Sequence, residues 1–197
     1  MIIRALTPDD FQQVIELGNS VHGEGYLNVD SLKKIYQMGI KNNINAHFIA
    51  ESEQSSQAIT ANNQTSIIGF RLTYAAGQWP VDKWCTPTEW PVSVKDMCYF
   101  KCNTVTESLR GKGIGSKLLQ ASIQAVKAQG AKAGVSHLWQ QSPNNSAVNY
   151  FTHAGGKLIK LHPSRWNQQS DETNDYIYVL CGDDCHCRAC EMVLEFD

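Results

Sequence analysis

The sequence predicts a mixed α/β domain, and three observations lead to that class. Apolar residues alternate in short runs that are typical of strands, such as residues 2–6 and 67–74. Elsewhere apolar residues recur at the three- and four-residue spacing of helices. A glycine-rich turn at residues 110–115 joins the strand pattern of 97–105 to a helical pattern. The 197 residues fit one domain, 1–197, that is long enough to bury a core.

The composition is that of an ordinary globular protein and excludes several classes of function. Apolar residues make up 42%, charged residues 18%, and the net charge is −2. This balance gives no basic surface excess, so we expect no nucleic acid as the main partner. The sequence has no apolar signal-peptide core and no run long enough to span a membrane. We therefore expect a cytoplasmic protein without a membrane partner.

The chain begins with a strand over residues 2–6 and a helix directly after it. Thr7 is suited to the N-cap and Pro8 to the first helical position. The apolar spacing predicts that this helix ends near Gly18. The loop 19–28 that follows contains two titratable side chains, those of His22 and Glu24.

A second helix is predicted from about Asp30, with Gly39 as its stop signal. Two strands follow, at 46–51 and 67–74, and the polar segment 52–66 between them is expected to be a mobile loop. Residues 77–95 combine prolines, which disfavour regular structure, with Trp79, Trp84 and Trp90. These tryptophans pack on the sheet or in a dimer contact. The alternative is that they form an aromatic wall of the acceptor pocket.

The turn at residues 110–115 has the features of an anion site. Its glycines let the backbone approach a ligand, and the helix predicted from Ser116 to Gly130 offers its unpaired N–H groups there. Arg110 and Lys112 add positive charge. The glycine spacing fits neither the dinucleotide fingerprint nor the P-loop. A plain strand-to-helix turn is the alternative.

The C-terminal part continues with a strand at 134–139 and then a helix, for which Asn144 or Asn145 is the expected cap. Two final strands are predicted at 175–180 and 190–196. These last strands are available to pair in a homodimer.

Two segments resemble one family. Arg-x-x-Gly-x-Gly after a strand, within residues 105–115, resembles the acyl-CoA pyrophosphate loop of the GNAT superfamily of N-acyltransferases, although Glu107 stands where that family often has proline. The segment from Asn144 through Ala147 to Gly155 also resembles it. The resemblance implies a mixed, mostly antiparallel central sheet of about seven strands flanked by about four helices. It also implies acetyl-CoA as co-substrate and an amine as acceptor.

The resemblance implies the following roles for single residues. A backbone N–H near Val105 would polarise the carbonyl of the thioester. At the position of Phe151 the family often has a tyrosine that acts as the general acid and protonates the leaving thiolate. Tyr150, one residue earlier, is therefore the candidate acid, with water as the alternative. The residues implied in acyl-CoA binding are Asn103, Val105, Arg110, Gly111, Lys112, Gly113, Ile114, Gly115, Ser116, Asn144 and Phe151.

His22 and Glu24 are the preferred candidates for the base, because the loop between the first two helices lines the acceptor site in similar folds. Glu89 and Glu107 are further candidates, and water can also take the proton. The acceptor is predicted to be a small-molecule amine or a peptide amine, and the net charge favours a cationic or partly apolar one. A non-catalytic acyl-CoA-binding or sensing module and a metal-dependent interaction protein are the alternative functions.

The seven cysteines include a cluster near the C-terminus with a spacing of C-x₃-C-x-C-x₂-C and a histidine inside it. Such density is compatible with a structural zinc site. Typical zinc sites, however, place a dozen or more residues between their two ligand pairs. Reduced thiols on a hairpin are therefore the favoured interpretation, and zinc is the alternative. The cluster consists of Cys181, Cys185, Cys187 and Cys190.

Overall fold

A computed structural model describes residues 1–52, 66–167, 181–182 and 184–197. The strands in these ranges are β1 (Ile2–Ala5), β2 (Ile40–Lys41), β3 (Ile44–Asn45), β4 (Phe48–Glu51), β5 (Ile67–Tyr74), β6 (Met97–Val105), β7 (Ala133–Trp139), β8 (Lys157–Pro163) and β9 (Arg188–Glu195). The α-helices are α1 (Phe11–His22), α2 (Val29–Met38), α3 (Ile114–Ala128) and α4 (Ser146–His153).

Seven strands form one sheet in the order β1-β4-β5-β6-β7-β9-β8, and β2 and β3 form a separate hairpin. All neighbouring pairs in the large sheet are antiparallel except β6 and β7. This architecture, with four α-helices in the described ranges, confirms the predicted mostly antiparallel sheet of about seven strands flanked by about four helices.

The two faces of the sheet carry different helices. On one face α1 and α2 bury an apolar cluster that includes Val14, Leu32, Phe70 and Leu72. On the other face α3 and α4 bury a cluster that includes Phe100, Leu119, Val126 and Phe151. The apolar stripes that predicted the helices are thus the stripes that cover the sheet.

The centre of the sheet contains two irregularities that shape the functional site. Strands β6 and β7 pair only over three positions, up to Tyr99 and Val135, and then diverge. Antiparallel pairing of β5 with β6 shifts register so that Leu72 faces Cys102 and Thr73 faces Phe100. Lys101 therefore has no residue opposite it, as in a β-bulge.

Helix α1 is longer than the sequence predicted. It passes through Gly18 and ends at His22, with Gly23 as its C-cap. A Cβ at Gly18 would lie 2.9 Å from Cδ1 of Leu27, so this glycine permits close packing and is not a stop. His22 accordingly lies on the last turn of a helix and not in a loop.

The caps of the other helices agree in part with the predictions. Helix α2 begins one residue before Asp30 and ends before Gly39, as predicted, while α3 begins at Ile114, two residues early. Asn145 makes no side-chain cap to α4. The hydroxyl of Ser142 instead accepts a hydrogen bond from Ala147 N at 3.0 Å.

Several strands were not predicted, and some predictions cannot be compared. β2, β3 and β8 were missed; the sequence of β8, KLIKLHP, does not alternate strictly between polar and apolar residues. The predicted strand at 175–180 and residues 53–65 of the predicted loop lie outside the described residues. None of the helices in the described ranges has the length and apolar character needed to cross a membrane.

Two of the three tryptophans in residues 77–95 are structural. The indole N–H of Trp79 donates to Met97 O at 2.8 Å, and that of Trp90 donates to Glu191 Oε1 at 2.8 Å. Both rings belong to one buried apolar cluster against the sheet. Packing on the sheet is therefore the outcome for Trp79 and Trp90, whereas Trp84 lines a cavity.

Candidate active site

A cavity of about 1410 Å³ is lined by the diverging ends of β6 and β7. On one side it is bounded by the glycine turn that leads into α3, which we call the glycine-turn side. On another side it is bounded by Asp82, Trp84, Arg165 and Trp166, which we call the Trp84 side. The end of α1 and the start of α4 complete the lining. The divergence of two parallel strands thus creates a cleft that a paired sheet would close.

The glycine turn presents backbone N–H groups to this cavity. Gly111 and Gly113 have φ values of 76° and 78°, a region that other residues rarely adopt. The first helical hydrogen bond of α3 runs from Lys117 N to Gly113 O at 3.1 Å. The N–H groups of the three preceding residues, 114–116, are therefore not used within the helix, and the helix dipole makes this end favourable for an anion.

Gly115 allows an exceptionally close approach between α3 and β6. A Cβ at this position would lie 2.6 Å from Nδ2 of Asn103. The side chains of Asn103 and Val105 both face α3, and Asn103 Oδ1 is buried without a hydrogen-bond partner among the described residues. The glycine therefore holds the Asn103 amide at the junction of strand and helix, beside the open N–H groups.

The two cations of the turn are not equivalent. Arg110 lines the cavity, and its Nε donates to Val105 O at 3.2 Å. This contact folds the side chain back along the end of β6. Lys112 is exposed and does not line the cavity, so the expectation that it contacts the ligand is not supported by its position.

Tyr150 lies on the cavity wall and is held by a buried arginine. Arg71 Nη1 donates to the Tyr150 hydroxyl oxygen at 3.0 Å. The guanidinium lies 4.6 Å from the centroid of the Phe100 ring, and only 1% of Arg71 is exposed. Because the phenol oxygen accepts from Arg71, its own hydrogen remains available for donation into the cavity.

Phe151 does not face the cavity. Its side chain is fully buried, and its ring meets that of Phe100 edge-on at a centroid distance of 5.8 Å. The helical rotation of about 100° per residue directs Tyr150 to the cavity and Phe151 into the core. The expected contact of Phe151 with the acyl-CoA is thereby corrected, while Asn144 and Ser116 do line the cavity.

His22 lines the cavity, and Glu24 does not. His22 Nε2 and Thr104 Oγ1 are 2.8 Å apart. Burial, reinforced by the positive charges of Arg110 and Lys101, lowers the pKa of His22 to about 4. The imidazole is therefore neutral at neutral pH. Glu24 is exposed, which corrects the expectation that it faces the acceptor.

Among the described residues, the Trp84 side carries one cation and one acid, and a second cation, Lys101 of β6, lines the same cavity. Arg165 pairs with Asp82 at 3.2 Å, and its guanidinium lies 5.8 Å from the Trp84 ring. Lys101, the bulge residue, makes no hydrogen bond or ion pair with the described residues, and its amine lies 6.0 Å from the Tyr74 ring. Burial lowers the pKa of Lys101 below its usual value.

A neutral histidine connects this side to the sheet. His137 Nε2 donates to Trp84 O at 2.7 Å, so Nδ1 accepts from the Tyr99 hydroxyl at 3.1 Å. Burial lowers the pKa of His137 to about 4, consistent with one donor and one acceptor nitrogen. Trp84 is thereby fixed at the cavity.

His137, His162 and Glu191 lie close enough to resemble a metal site, because their ligand atoms are within 4.8 Å of one another. The Glu191 carboxylate, however, already accepts hydrogen bonds from Thr86, Trp90 and His162. Since both oxygens are occupied, this group is better described as a hydrogen-bonded network that attaches residues 86–90 to β9.

Three of the four cysteines in the C-terminal motif lie together, and the fourth lies apart from them. Sγ atoms of Cys181, Cys185 and Cys187 lie within 4.8 Å of one another. Cys190 is buried on β9 within the apolar core and does not join them.

The sequence did not identify Arg71, Lys101, His137 or Arg165 as site residues. One signal was available: Arg71 interrupts an otherwise apolar strand, and a charge in such a position is usually paired or functional. Lys101 gave no signal, because a bulge cannot be located from residue pattern alone.

A family model described as the acetyltransferase (GNAT) family matches residues 33–155. This match covers more than half of the 197-residue chain. The chain belongs to the GNAT acetyltransferase family. The matched region includes β6, the glycine turn, α3 and α4, and therefore most of the cavity wall. Membership identifies the protein as an acyltransferase and confirms the resemblance seen in the sequence.

Solved structures share the GNAT fold at low sequence identity. Ard1 from Thermoplasma volcanium is 14% identical with a TM-score of 0.63, over 100% of this chain and 97% of the other. Naa20 from Chaetomium thermophilum, in complex with a bisubstrate analogue, is 15% identical with a TM-score of 0.66, over 100% and 87%. The putative acetyltransferase yncA from Salmonella typhimurium, with acetyl-CoA, is 15% identical with a TM-score of 0.64, over 100% and 94%. No curated protein matches the chain.

Proposed function

We propose that this GNAT protein is an N-acetyltransferase that moves an acetyl group from acetyl-CoA to an amine by direct attack on the thioester. The observation that carries the proposal is that the glycine turn and the Tyr150–Arg71 pair face the same cavity. One provides an anion site, and the other provides a proton donor. The first would bind acetyl-CoA, and the second would assist the release of CoA.

The pyrophosphate of acetyl-CoA would bind the N–H groups at the start of α3, with Arg110 supplying positive charge. The pantetheine would then follow β6 past Val105 and Asn103, where β7 has diverged. The acetyl-CoA complex of yncA, which has the same fold, supports this choice of co-substrate. Asn144, two residues before α4, also lines the cavity.

The chemical step is the attack of the amine nitrogen on the thioester carbonyl carbon. A C–N bond forms, the C–S bond breaks, and CoA leaves as a thiolate. A backbone N–H near Val105 would stabilise the carbonyl oxygen, and one such donor contributes about 3 kcal/mol. The Tyr150 hydroxyl would give its proton to the thiolate and recover one from solvent, while Arg71 keeps the phenol in place.

The amine must lose a proton, and we assign this proton to water. His22 lines the cavity, but with a pKa of about 4 it is too weak a base to retain the proton at neutral pH. His22 is instead a positioning residue that holds Thr104. Of the other acids considered, Glu107 lines the glycine-turn side and Glu89 is exposed away from the cavity.

The acceptor is proposed to be an amine that also carries a carboxylate, such as an amino acid or a peptide. Of the described residues that line the cavity, four carry basic side chains, Arg71, Lys101, Arg110 and Arg165, and two carry acidic ones, Asp82 and Glu107. Asp82 is paired with Arg165, whereas Lys101 makes no ion pair with an acid among the described residues. On this basis we propose a carboxylate-bearing acceptor in place of the cationic or partly apolar amine expected from the sequence. The whole chain, 1–197, is proposed to act as one domain.

The binding step is tested by thermal unfolding with and without acetyl-CoA. At 100 times its Kd the ligand should stabilise the fold by about 2.7 kcal/mol, which corresponds to a rise in Tm on the order of 5–10 °C. The shift should shrink in Arg110→Ala and persist in Arg188→Ala, an exposed arginine outside the cavity lining. No shift with millimolar acetyl-CoA would refute the proposal.

The catalytic step is tested by following CoA release with a panel of amino acids, dipeptides and simple amines. Release with at least one amine supports the transferase. A thermal shift with acetyl-CoA but no release with any member of the panel would favour the alternative of a non-catalytic acyl-CoA-binding module.

A further inference from the structure

The thiol cluster of Cys181, Cys185 and Cys187 is not used by the proposed reaction. These three residues lie within one short segment before β9. Their sulfur atoms lie within 4.8 Å of one another. All seven cysteines lie in the described ranges and all are free. The convergence of three out of seven at one place calls for a chemical reason.

The geometry of the cluster fits a tetrahedral metal site. The sulfurs of Cys181 and Cys187 are 3.5 Å apart, and the third lies within 4.8 Å of both. With Zn–S bonds of about 2.3 Å, two sulfurs of a zinc tetrahedron are about 3.8 Å apart. The observed separation is close to that value and much longer than a disulfide bond of about 2.05 Å.

Two other candidate ligands near the cluster, His186 and Cys190, do not join it. The neighbouring His186 is directed outwards, with 74% of its side chain exposed and Nε2 at 3.1 Å from Asp184 Oδ2. Cys190 is buried on β9 in the apolar core. Among the described residues three ligands are thus available, which leaves a fourth coordination position.

We propose that Cys181, Cys185 and Cys187 bind one zinc ion as thiolates and that water completes the tetrahedron. Binding releases the thiol protons to solvent, and each sulfur forms a bond to the metal without any change in oxidation state. Soft thiolate ligands select zinc over magnesium or calcium. The site is separate from the acetyl-transfer cavity, whose lining contains none of the three cysteines.

Zinc at this place would support the Trp84 side of the cavity. Ser164 N donates to Cys187 O at 3.0 Å, and Asn167 Nδ2 donates to Asp184 Oδ1 at 2.9 Å. These two bonds enclose Arg165 and Trp166, which line the cavity. A metal that fixes Cys187 and the neighbouring Asp184 therefore also fixes the position of Arg165.

The test is the metal content of the full-length protein. Protein purified under reducing conditions should contain one zinc per chain by elemental mass spectrometry. Cys187→Ser should lose the metal, whereas Cys85→Ser, a partly buried cysteine outside the cluster, should retain it. Replacement of zinc by cobalt(II) should give a thiolate-to-cobalt charge-transfer band that is absent in Cys187→Ser.

Two results would overturn the proposal. One is a metal content in wild type no greater than in Cys187→Ser after incubation with stoichiometric zinc. The other is an intact mass two hydrogens below the reduced mass, with the loss mapped to a Cys181–Cys187 disulfide in protein kept under reducing conditions. Because acetyl-CoA binding is measured separately by thermal shift, failure here leaves the acetyltransferase proposal standing.

Discussion

Arg71 on β5 and Tyr150 on α4 are joined by a hydrogen bond of 3.0 Å, although they lie 79 residues apart in the chain. The guanidinium lies under the cavity and over the Phe100 ring, and the phenol lies in the cavity wall. A charge buried in the sheet thus fixes the one cavity-lining hydroxyl that we assign to CoA release.

Replacement Tyr150→Phe removes the proposed acid and keeps the ring. General acid–base groups contribute typically 10²–10⁴-fold, but a thiol with a pKa near 8.5 is already a fair leaving group. We therefore expect kcat to fall about ten- to hundredfold, with the Kd for acetyl-CoA unchanged. Steady-state kinetics and calorimetry measure the two quantities. Tyr36→Phe, on α2 and away from the cavity, is the matched control, and an unaltered kcat in Tyr150→Phe would assign the proton to water.

Arg71→Met should reproduce the kinetic defect of Tyr150→Phe without unfolding the protein. Arg71 makes no ion pair with a carboxylate among the described residues, so an apolar side chain of similar length removes a buried charge without leaving an opposite charge unpaired. We expect the free energy of unfolding in urea to stay within about 1 kcal/mol of wild type. In the double variant the loss in kcat should not exceed that of either single change, because the two residues act as one unit. Multiplicative losses would show that Arg71 acts independently of Tyr150.

Much of the fold was predictable because local signals agreed with the tertiary structure. The glycine turn, the stripe of α3 and the Gly39 stop of α2 all depend on neighbours within one or two turns. The prediction that α1 ends near Gly18 was wrong because this glycine serves tertiary packing. It makes room for Leu27 and lies within the helix. A single sequence cannot distinguish a glycine that stops a helix from one that packs against a distant side chain.

The site was less predictable, since its geometry comes from irregularities of the sheet. The bulge that frees Lys101 and the divergence of β6 from β7 have no residue signature. Tyr150 and Phe151 are adjacent in sequence, and only the packing of α4 decides which one faces the cavity. The sequence identified the cations of the glycine turn as site residues. It did not indicate that Arg71, in the middle of a strand, would bind Tyr150.

Gly115→Ala tests the contact between α3 and β6. The new methyl group would lie 2.6 Å from Asn103 Nδ2, so the asparagine must move. We expect weaker acetyl-CoA binding, by about tenfold or 1.4 kcal/mol, since the start of α3 is displaced from the ligand. Asn103→Ala should relieve the clash, so the double variant should bind acetyl-CoA no more weakly than Asn103→Ala alone. Calorimetric Kd values for the four proteins check this, and a further loss in the double variant would contradict it.

Lys101→Met tests the proposed class of acceptor. If the Lys101 amine binds the carboxylate of the acceptor, its loss should raise KM for that acceptor about tenfold or more, as expected for a charge-assisted hydrogen bond of roughly 1.5–3 kcal/mol. The KM for acetyl-CoA should not change. A decarboxylated analogue of the same acceptor should be used equally well by wild type and variant. Equal effects on both acceptors would show that Lys101 does not recognise a carboxylate.

The free energy of unfolding should decrease as the pH is lowered, in part because of His47, which is fully buried. Its Nδ1 accepts from Thr73 N at 3.1 Å and its Nε2 donates to Tyr36 O at 3.2 Å, an arrangement that requires the neutral ring. Burial lowers the pKa of His47 from 6.5 to about 4. Protonation would direct a second N–H at the Thr73 N–H, which explains why the fold resists it.

The sign of the pH effect follows from that depressed pKa. Below about pH 6.5 the unfolded chain takes up a proton that the folded chain refuses until about pH 4, so the free energy of unfolding decreases as pH falls through this window. The slope for one such histidine approaches roughly 1.4 kcal/mol per pH unit. Urea unfolding at pH 7, 6 and 5 measures it. Burial also lowers the pKa values of His22 and His137 to about 4, so His47→Gln should reduce the slope by the contribution of one histidine, even if it lowers stability at pH 7. A slope in His47→Gln equal to that of wild type would exclude His47 as a titrating group.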